Sequence, residues 1–247
     1  AVVKPSPYTH NIVAYWERPE SDIRVYALGW SSIRDDMQAA YEAAKATQKR
    51  LGIDELLLPI DHLATRIYSQ NREAAILEYL TLSSYYFWGA YDIADQNSST
   101  NVTKSVHYTN ELECPAKVFT AANHPYFMNH LLTESPTEAF VRNFGPRLHH
   151  IAVAVKDGET EALANIDYVV NSLRDCGQTF LLDVIGSKEA GLKQIFSSAS
   201  EYSSLIVEYV QRFGGFQGFF TKDNVAELTH AAGVEESLRA LQKEAQL

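Results

Sequence analysis

Residues 147–155 read RLHHIAVAV, and the fold of the whole chain can be worked out from this stretch. Its alternation of residue types is typical of a β-strand, in which neighbouring side chains point to opposite faces. His149 then shares a face with large apolar residues that suit packing beneath a helix. His150 shares the other face with the small residues Ala152 and Ala154. The pattern predicts that His150 faces a ligand or a metal and that His149 is structural.

A similar pattern occurs earlier in the chain. The stretches IDHLA (60–64) and LHHIA (148–152) share the order apolar, polar, His, apolar, Ala. Each begins a predicted strand, which is followed by a helix and then by about three further strand candidates. Two copies of a βαβββ module account for this repeat. The chain is therefore expected to have an α+β fold with modules at about 58–135 and 146–213.

Helix and turn signals supply the remaining elements. Ser32 and Gly52 suit the two ends of a long helix, so residues 1–57 are predicted to form an N-terminal helical extension. Residues 58–247 are predicted to form the main domain. Within it, helices are predicted over 71–80, 136–144 and 161–176, and a polar loop over 95–101. A strand is predicted over 179–185, and two helices near 223–231 and 234–245 are predicted to form a lid.

Composition limits the partners of the protein. The chain has 247 residues and a formal net charge of −10, which argues against nucleic acid or an anionic membrane as a partner. No apolar run reaches the roughly 18–20 residues of a membrane span. Two cysteines and an N-terminus unlike a signal peptide lead us to expect a cytoplasmic protein. A small-molecule substrate is expected, and homo-oligomerisation is left open.

Three residues on separate predicted strands could hold a metal ion. Glu208 lies inside the apolar stretch SSLIVEYV, where an unpaired buried carboxylate would cost several kcal/mol. His62 and His150 each precede a small residue two positions further on. Two histidines and one carboxylate form the facial triad of non-haem Fe(II) oxygenases, and the same set binds catalytic zinc. Taken singly, a strand histidine is more often a core or edge residue than a ligand, and Glu208 could equally face solvent on an edge strand.

Four stretches in this order carry a resemblance to a known family: PRLHHIAVAV, LKQIFSS, LIVEYVQRF and GFFTKDNVAELTHA. They resemble the C-terminal, catalytic half of 4-hydroxyphenylpyruvate dioxygenase and hydroxymandelate synthase, members of the vicinal-oxygen-chelate superfamily. The resemblance covers about Leu58 to Ala232. It implies paired βαβββ modules forming an incomplete barrel around an iron held by His62, His150 and Glu208. It also implies substrate contacts from Gln194, Phe196, Phe219, Asn224 and Val225.

The sequence departs from this family in ways that concern the substrate. Residues 1–57 are too few to hold the family's additional N-terminal pair of modules, and the stretch between His150 and Glu208 is shorter. Val225 stands where the family has an aromatic residue that stacks on the substrate ring. The resemblance therefore implies an Fe(II)-dependent dioxygenase that oxidatively decarboxylates a 2-oxo acid with O2, with weak preference for a p-hydroxyphenyl group.

Two alternatives remain at this point. One is a non-redox lyase or isomerase of the same superfamily that uses Zn, Mn or Ni as a Lewis acid. The other is a non-catalytic paired-module protein that binds a small molecule, in which Glu208 would pair with an arginine rather than with a metal.

Overall fold

A computed structural model describes residues 4–15, 31–108, 114–125, 127, 135–216 and 218–244. Its helices are α1 (Ser31–Arg50), α2 (Arg72–Leu82), α3 (Pro136–Phe144), α4 (Asn165–Asp175) and α5 (Lys222–Glu244). Its strands are β1 (Leu57–Arg66), β2 (Tyr85–Ile93), β3 (Ser98–Ser105), β4 (Ala116–Ala122), β5 (Arg147–Val155), β6 (Glu159–Thr160), β7 (Leu163–Ala164), β8 (Ile185–Ser187), β9 (Leu192–Phe196) and β10 (Ile206–Arg212).

Eight strands form one mixed sheet in the order β2-β3-β4-β1-β5-β10-β9-β8. The first half of this order is the module β1-α2-β2-β3-β4, and the second half is the module β5-α4-β8-β9-β10. In each module the last strand returns parallel to the first, so β4 pairs with β1 and β10 pairs with β5. The expected pair of βαβββ modules is confirmed, and β6 and β7 form a separate short hairpin.

The two modules meet where β1 and β5 pair antiparallel. This pairing puts the strands that begin the two modules side by side at the centre of the sheet. The last strands, β4 and β10, flank them on either side. The four central strands therefore bring the repeated sequence patterns of both modules to one place.

Helices cover both faces of the sheet. On the outer face, Ile76 of α2 shares a buried cluster with Phe119 of β4, and Val169 of α4 shares another with Ile195 of β9. Helix α5 crosses the inner face, where its Val225 belongs to the cluster of the first module. Its residues Leu228 and Ala232 belong to an inner cluster of the second module. None of the described helices is both long enough and apolar enough to cross a membrane.

Several elements differ from the sequence-based expectation. The long helix of the extension and the helix that begins at Pro136 are confirmed. The polar loop predicted over 95–101 is wrong from residue 98 onward, because these Ser, Thr and Asn residues are buried in β3 between β2 and β4. Such pairing on both sides outweighs the weak strand propensity of polar residues.

The second module and the lid also need correction. Only the end of the strand predicted over 179–185 is regular, since β8 begins at Ile185. Helix α4 begins at Asn165 rather than at residue 161. The two predicted lid helices are one continuous helix, α5, because Gly233 does not interrupt it. Gly233 instead lets α5 approach α3 closely, and a Cβ there would lie 2.8 Å from Cβ of Pro136.

Candidate metal centre

Three adjacent central strands carry the three predicted ligands. His62 lies on β1, His150 on β5 and Glu208 on β10. The strand register brings them to one level of the sheet, because Ala152 pairs with both His62 and Glu208. Nearest neighbours in this register point to the same face. The sheet therefore gathers all three side chains on its inner face.

The three side chains converge on one point. Nε2 of His62 lies 3.0 Å from Oε2 of Glu208 and 3.2 Å from Nε2 of His150. Nε2 of His150 lies 3.3 Å from the same carboxylate oxygen. Ligand atoms about 2.1 Å from a metal, at angles of about 90–105°, lie roughly 3.0–3.3 Å from one another. This is the one group of this kind among the described residues, and its spacing fits a metal ion.

The site requires a positive charge. All three side chains are buried, and no lysine or arginine among the described residues pairs with Glu208. Burial would lower the pKa of His62, but Glu208 and Asp61 outweigh it and raise that pKa to about 9. Burial holds the pKa of His150 well below its usual value. Glu208 therefore stabilises positive charge on His62 or on a cation between the two imidazoles, and no arginine among the described residues pairs with it.

His62 is oriented by a carboxylate that precedes it in the chain. Its Nδ1 lies 2.7 Å from Oδ1 of Asp61. Arg212 pairs with both oxygens of Asp61 and also donates to the backbone carbonyl of Phe219, 3.0 Å away. Burial would raise the pKa of Asp61, but Arg212 and His62 hold it below its usual value. Asp61 therefore stays ionised and fixes the His62 ring with Nε2 directed at the site.

His150 is supported by the neighbouring histidine. The register between β1 and β5 shifts at this point, because Ala64 pairs with His150 and the next residue, Thr65, pairs with Leu148. His149 is therefore the extra residue of a β-bulge. This interrupts the alternation, and the prediction that His149 lies on the opposite, apolar face is wrong. Its Nδ1 lies 2.7 Å from Nδ1 of His150, and its Nε2 lies 2.8 Å from Oε1 of Glu236 on α5.

Glu208 is held by amides. Nε2 of Gln194 donates to Oε1 of Glu208 at 2.6 Å, and Nδ2 of Asn224 donates to Oε1 of Gln194 at 3.1 Å. These bonds occupy one carboxylate oxygen and leave the other directed at the two histidines. Gln194 and Asn224 therefore hold the Glu208 side chain in place. Their predicted contact with substrate stays a prediction.

The repeat also explains why the site has three ligands rather than four. Glu208 pairs with Ala152, two residues after His150. The corresponding position in the first module pairs with Ala64, two residues after His62, and holds Val118. An apolar side chain thus occupies the fourth position that the fold provides. The described strands therefore supply three candidate ligands and no fourth at this position.

A small cavity lies beneath α5 and is lined by two of the three candidate ligands, all but His62. Its volume is about 40 Å³, and Val225, Leu228 and Phe220 contribute to its wall. Phe196 also lines it and packs on the His150 ring, with ring centres 4.9 Å apart. Phe219 packs against the His62 ring at 5.4 Å and lies outside the lining. Of the two adjacent phenylalanines it is therefore Phe220, which the sequence did not indicate, that faces the cavity.

Sequence reasoning missed the residues that support the ligands. Asp61 could have been suspected from its position directly before His62. Glu236 could not, because it contacts His149 from a helix far along the chain and no local pattern marks it. Arg66 completes this set with a 2.6 Å bond to Oε2 of Glu236.

Comparison with known proteins identifies the fold. No protein-family model and no curated protein matches the chain. A variant of 4-hydroxymandelate synthase from Streptomyces coelicolor is similar with a TM-score of 0.55 and 18% identity, over 73% of this chain and 54% of that one. The expected fold of paired βαβββ modules, of the vicinal-oxygen-chelate type, is confirmed. The chain spans about half the length of that synthase, and likeness at this identity concerns the fold alone.

Smaller proteins give weaker matches. A methylmalonyl-CoA epimerase has a TM-score of 0.47 and 20% identity, over 64% of this chain and 97% of that one. A variant of the Streptomyces coelicolor methylmalonyl-CoA epimerase, in complex with 2-nitronate-propionyl-CoA, has a TM-score of 0.47 and 16% identity, over 63% and 98%.

Proposed function

We propose that this protein is an Fe(II)-dependent dioxygenase that oxidatively decarboxylates a small 2-oxo acid. The observation that carries the proposal is the convergence of His62, His150 and Glu208 with Val118 in the fourth position. Two histidines and one carboxylate that leave adjacent positions open suit non-haem iron, which must accept an organic acid and oxygen together. When bound, Fe(II) would supply the redox chemistry, and the chain would supply ligands, orientation and exclusion of water.

The cavity favours an oxygenase over a lyase or isomerase. Lewis-acid proton transfer needs an acid or base beside the substrate. Among the described residues, every titratable side chain lining the cavity is already engaged: His150 and Glu208 as ligands, and Arg66 and His149 with Glu236. The remaining lining consists of threonines, one glutamine and apolar side chains. Such a cavity is suited to chemistry in which the metal centre supplies the reactivity.

The chain's own residues set the protonation of both ligand histidines. A metal at Nε2 requires the proton of each ring to be on Nδ1. On His62 that proton is donated to Asp61, and on His150 it is donated to Nδ1 of His149. His149 then carries its own proton on Nε2 and donates it to Glu236. Every bond in this scheme has one donor and one acceptor.

The apolar wall of the cavity favours a short aliphatic acid. About 40 Å³ accommodates one or two water molecules and is far below the volume of a typical ligand pocket. Substrate entry therefore requires α5 to move, and its Val225 and Leu228 then limit the length of the side chain. This agrees with the weak preference for a p-hydroxyphenyl group expected from Val225.

The proposal is tested by metal analysis and oxygen uptake. Protein purified without chelator is analysed for metals, and the Fe(II) form is assayed for O2 uptake and CO2 release on pyruvate, 3-methyl-2-oxobutanoate and 4-hydroxyphenylpyruvate. We expect equal amounts of O2 consumed and CO2 released on an aliphatic acid, and none for Glu208→Ala. Val225→Ala should shift the preference toward longer acids.

Two results would overturn the proposal. One is a protein that binds Fe(II) but consumes no oxygen with any 2-oxo acid. The other is turnover of a non-redox substrate by the Zn, Mn or Ni form, which would establish the lyase or isomerase alternative.

A further inference from the structure

A second cavity lies on the outer face of the sheet. Its volume is about 290 Å³, several times that of the cavity beside the metal ligands. Its floor is formed by outward-facing residues of the central strands, including Leu63 of β1 and Leu148 of β5. Helix α2 forms one wall through Tyr79 and Leu82, and the N-terminal segment 4–13 forms another. This cavity takes no part in the proposed reaction.

The floor of the cavity carries a buried lysine. Lys117 of β4 is 7% exposed and lines the cavity. Its ammonium group donates to Oγ1 of Thr65, and its Nζ lies 5.3 Å from the centre of the Phe119 ring. No carboxylate among the described residues pairs with it, although Glu78 of α2 and Lys4 of the N-terminal segment also line the cavity. Burial lowers the pKa of Lys117 to about 7.

A second lysine on the outer face has the carboxylate partner that Lys117 lacks. Lys193 of β9 is also partly buried, but its Nζ lies 2.5 Å from Oδ2 of Asp167 on α4. A buried cation without such a partner is costly, and the cost is recovered when an anion pairs with it. Lys117 has no such partner among the described residues, and the cavity that it lines offers space for one.

We infer that this cavity is a binding site for an apolar monocarboxylate, whose carboxylate pairs with Lys117. Lys4 is exposed, so Lys117 is the one buried cation among the described residues that line the cavity. One buried cation suits a carboxylate better than a phosphate, which is normally held by several donors. The lining of Leu63, Tyr79, Leu82 and Leu148 suits an aliphatic or aromatic chain. Asn11 fixes the N-terminal wall by donating to Oγ1 of Thr65 at 2.9 Å, beside the ammonium group. This inference is independent of the proposed reaction.

The probe for the test is octanoate, with 1-octanol as its neutral counterpart. Isothermal titration calorimetry on the full chain should show octanoate binding at least about tenfold tighter than 1-octanol, because the charge-assisted bond forms only with the acid. Lys117→Met should weaken octanoate binding by about 10–100-fold. The matched variant Lys193→Met should leave the Kd within about twofold, and so should His62→Gln, which removes a metal ligand.

A measurement on the unmodified chain covers the case in which a variant fails to fold. Lys117 is acetylated with a limiting amount of acetic anhydride at pH 7.5, and the labelled peptides are quantified by mass spectrometry. Octanoate should protect Lys117 and leave Lys193 unchanged. The inference is overturned if octanoate does not bind, if Lys117→Met binds it as tightly as the wild type, or if His62→Gln abolishes binding, which would place the acid at the metal centre.

Discussion

A hydrogen bond between two imidazoles determines the state of the His150 ring. Nδ1 of His150 lies 2.7 Å from Nδ1 of His149, and both rings are buried. Only one of two facing nitrogens can carry the proton. Because Glu236 accepts from the far side of His149, the arrangement favours a proton on Nδ1 of His150 and an unprotonated Nε2. In the proposed site, His149 would therefore position His150 without being a ligand itself.

The hydrogen bond to His150 predicts that His149 affects metal affinity, which a packing role alone does not predict. His149→Leu keeps an apolar side chain between Phe140 and Phe196 but removes the acceptor for His150. We expect the affinity for Co(II) or Zn(II) to fall by about 10–100-fold, as for other residues that orient metal-bound histidines. A chelator competition gives the affinity, and the Co(II) absorption spectrum reports the changed ligand geometry. Unchanged affinity and an unchanged spectrum would show that His149 only packs.

Lys117 gives the stability of the protein a distinct pH dependence. Burial lowers the pKa of Lys117 from 10.5 to about 7, so the unfolded chain binds more protons than the folded one between these pH values. Stability should therefore rise as the pH increases from about 7 toward 10, and the penalty should be full below pH 7. Lys117→Met should be more stable than the wild type at pH 7 and lack this slope.

Urea unfolding at pH 6.5 and 9 measures the effect of Lys117. Lys193→Met is the control, since Lys193 has a carboxylate partner and its replacement should leave the slope in place. A slope that is the same in Lys117→Met and in the wild type would mean that another group produces it.

At the scale of elements, β4 occupies the place in the first module that β10 occupies in the second. Val118 on β4 corresponds to Glu208 on β10, and both side chains line the cavity. We expect Val118→Glu to complete a site of two histidines and two carboxylates. Zn(II) and Ni(II) should then bind more tightly, while O2 uptake by the Fe(II) form should be lost because a fourth protein ligand leaves too few open positions for the acid and oxygen together.

Val118→Gln distinguishes metal binding by the new carboxylate from crowding by a larger side chain as the cause of that loss. It has nearly the same size as Glu but is a weaker ligand, so metal affinity should change little while the crowding is the same. If Val118→Glu and Val118→Gln lower metal affinity equally, residue 118 does not reach the metal position.

Helix α5 covers the inner face of the sheet, where the three candidate ligands lie, and it packs tightly against α3. Gly233 leaves room for Pro136, and a Cβ at residue 233 would lie 2.8 Å from the ring Cβ. Alanine favours a helix over glycine by about 1 kcal/mol, yet we expect Gly233→Ala to loosen α5 because the ring cannot yield. Hydrogen exchange of the α5 amides should accelerate, whereas Val234→Ala, on the exposed side, should not change it. Slower exchange in Gly233→Ala would show that helix propensity dominates.

The elements also show where reasoning from the sequence succeeds. Strands β1, β5 and β10 have local apolar patterns, and the triad followed from them together with the family resemblance. Strand β3 was missed because its Ser, Thr and Asn residues are buried by pairing that is not local. His149 was assigned to the wrong face because a bulge depends on the register between β1 and β5. Contacts of this kind, including that of Glu236, arise only once distant segments meet.

For the molecule as a whole, the two inferred sites lie on opposite faces of one sheet and are bounded by different segments. The metal side is closed by α5, and both ligand histidines are linked to the C-terminal region, one through Asp61 and Arg212 to Phe219 and the other through His149 to Glu236. The outer cavity is closed by α2 and by the segment 4–13. The division into an extension (1–57) and a catalytic domain (58–247) stays a prediction that this arrangement makes testable.

Removal of residues 1–50 should separate the two sites. The cut lies before Ile53, which is buried against α4, and the truncated chain therefore keeps this part of the core. The metal ligands and their supporting side chains all lie beyond the cut, and we expect metal affinity to stay within about threefold of the full chain. Octanoate binding should fall at least about tenfold, as in Lys117→Met, because the wall formed by residues 4–13 and the Asn11–Thr65 bond are absent. Chelator competition and calorimetry on the same preparation measure both. A truncated chain that folds but loses metal and octanoate together would show that the extension supports the metal centre, and the boundary at residue 57 would have to be abandoned.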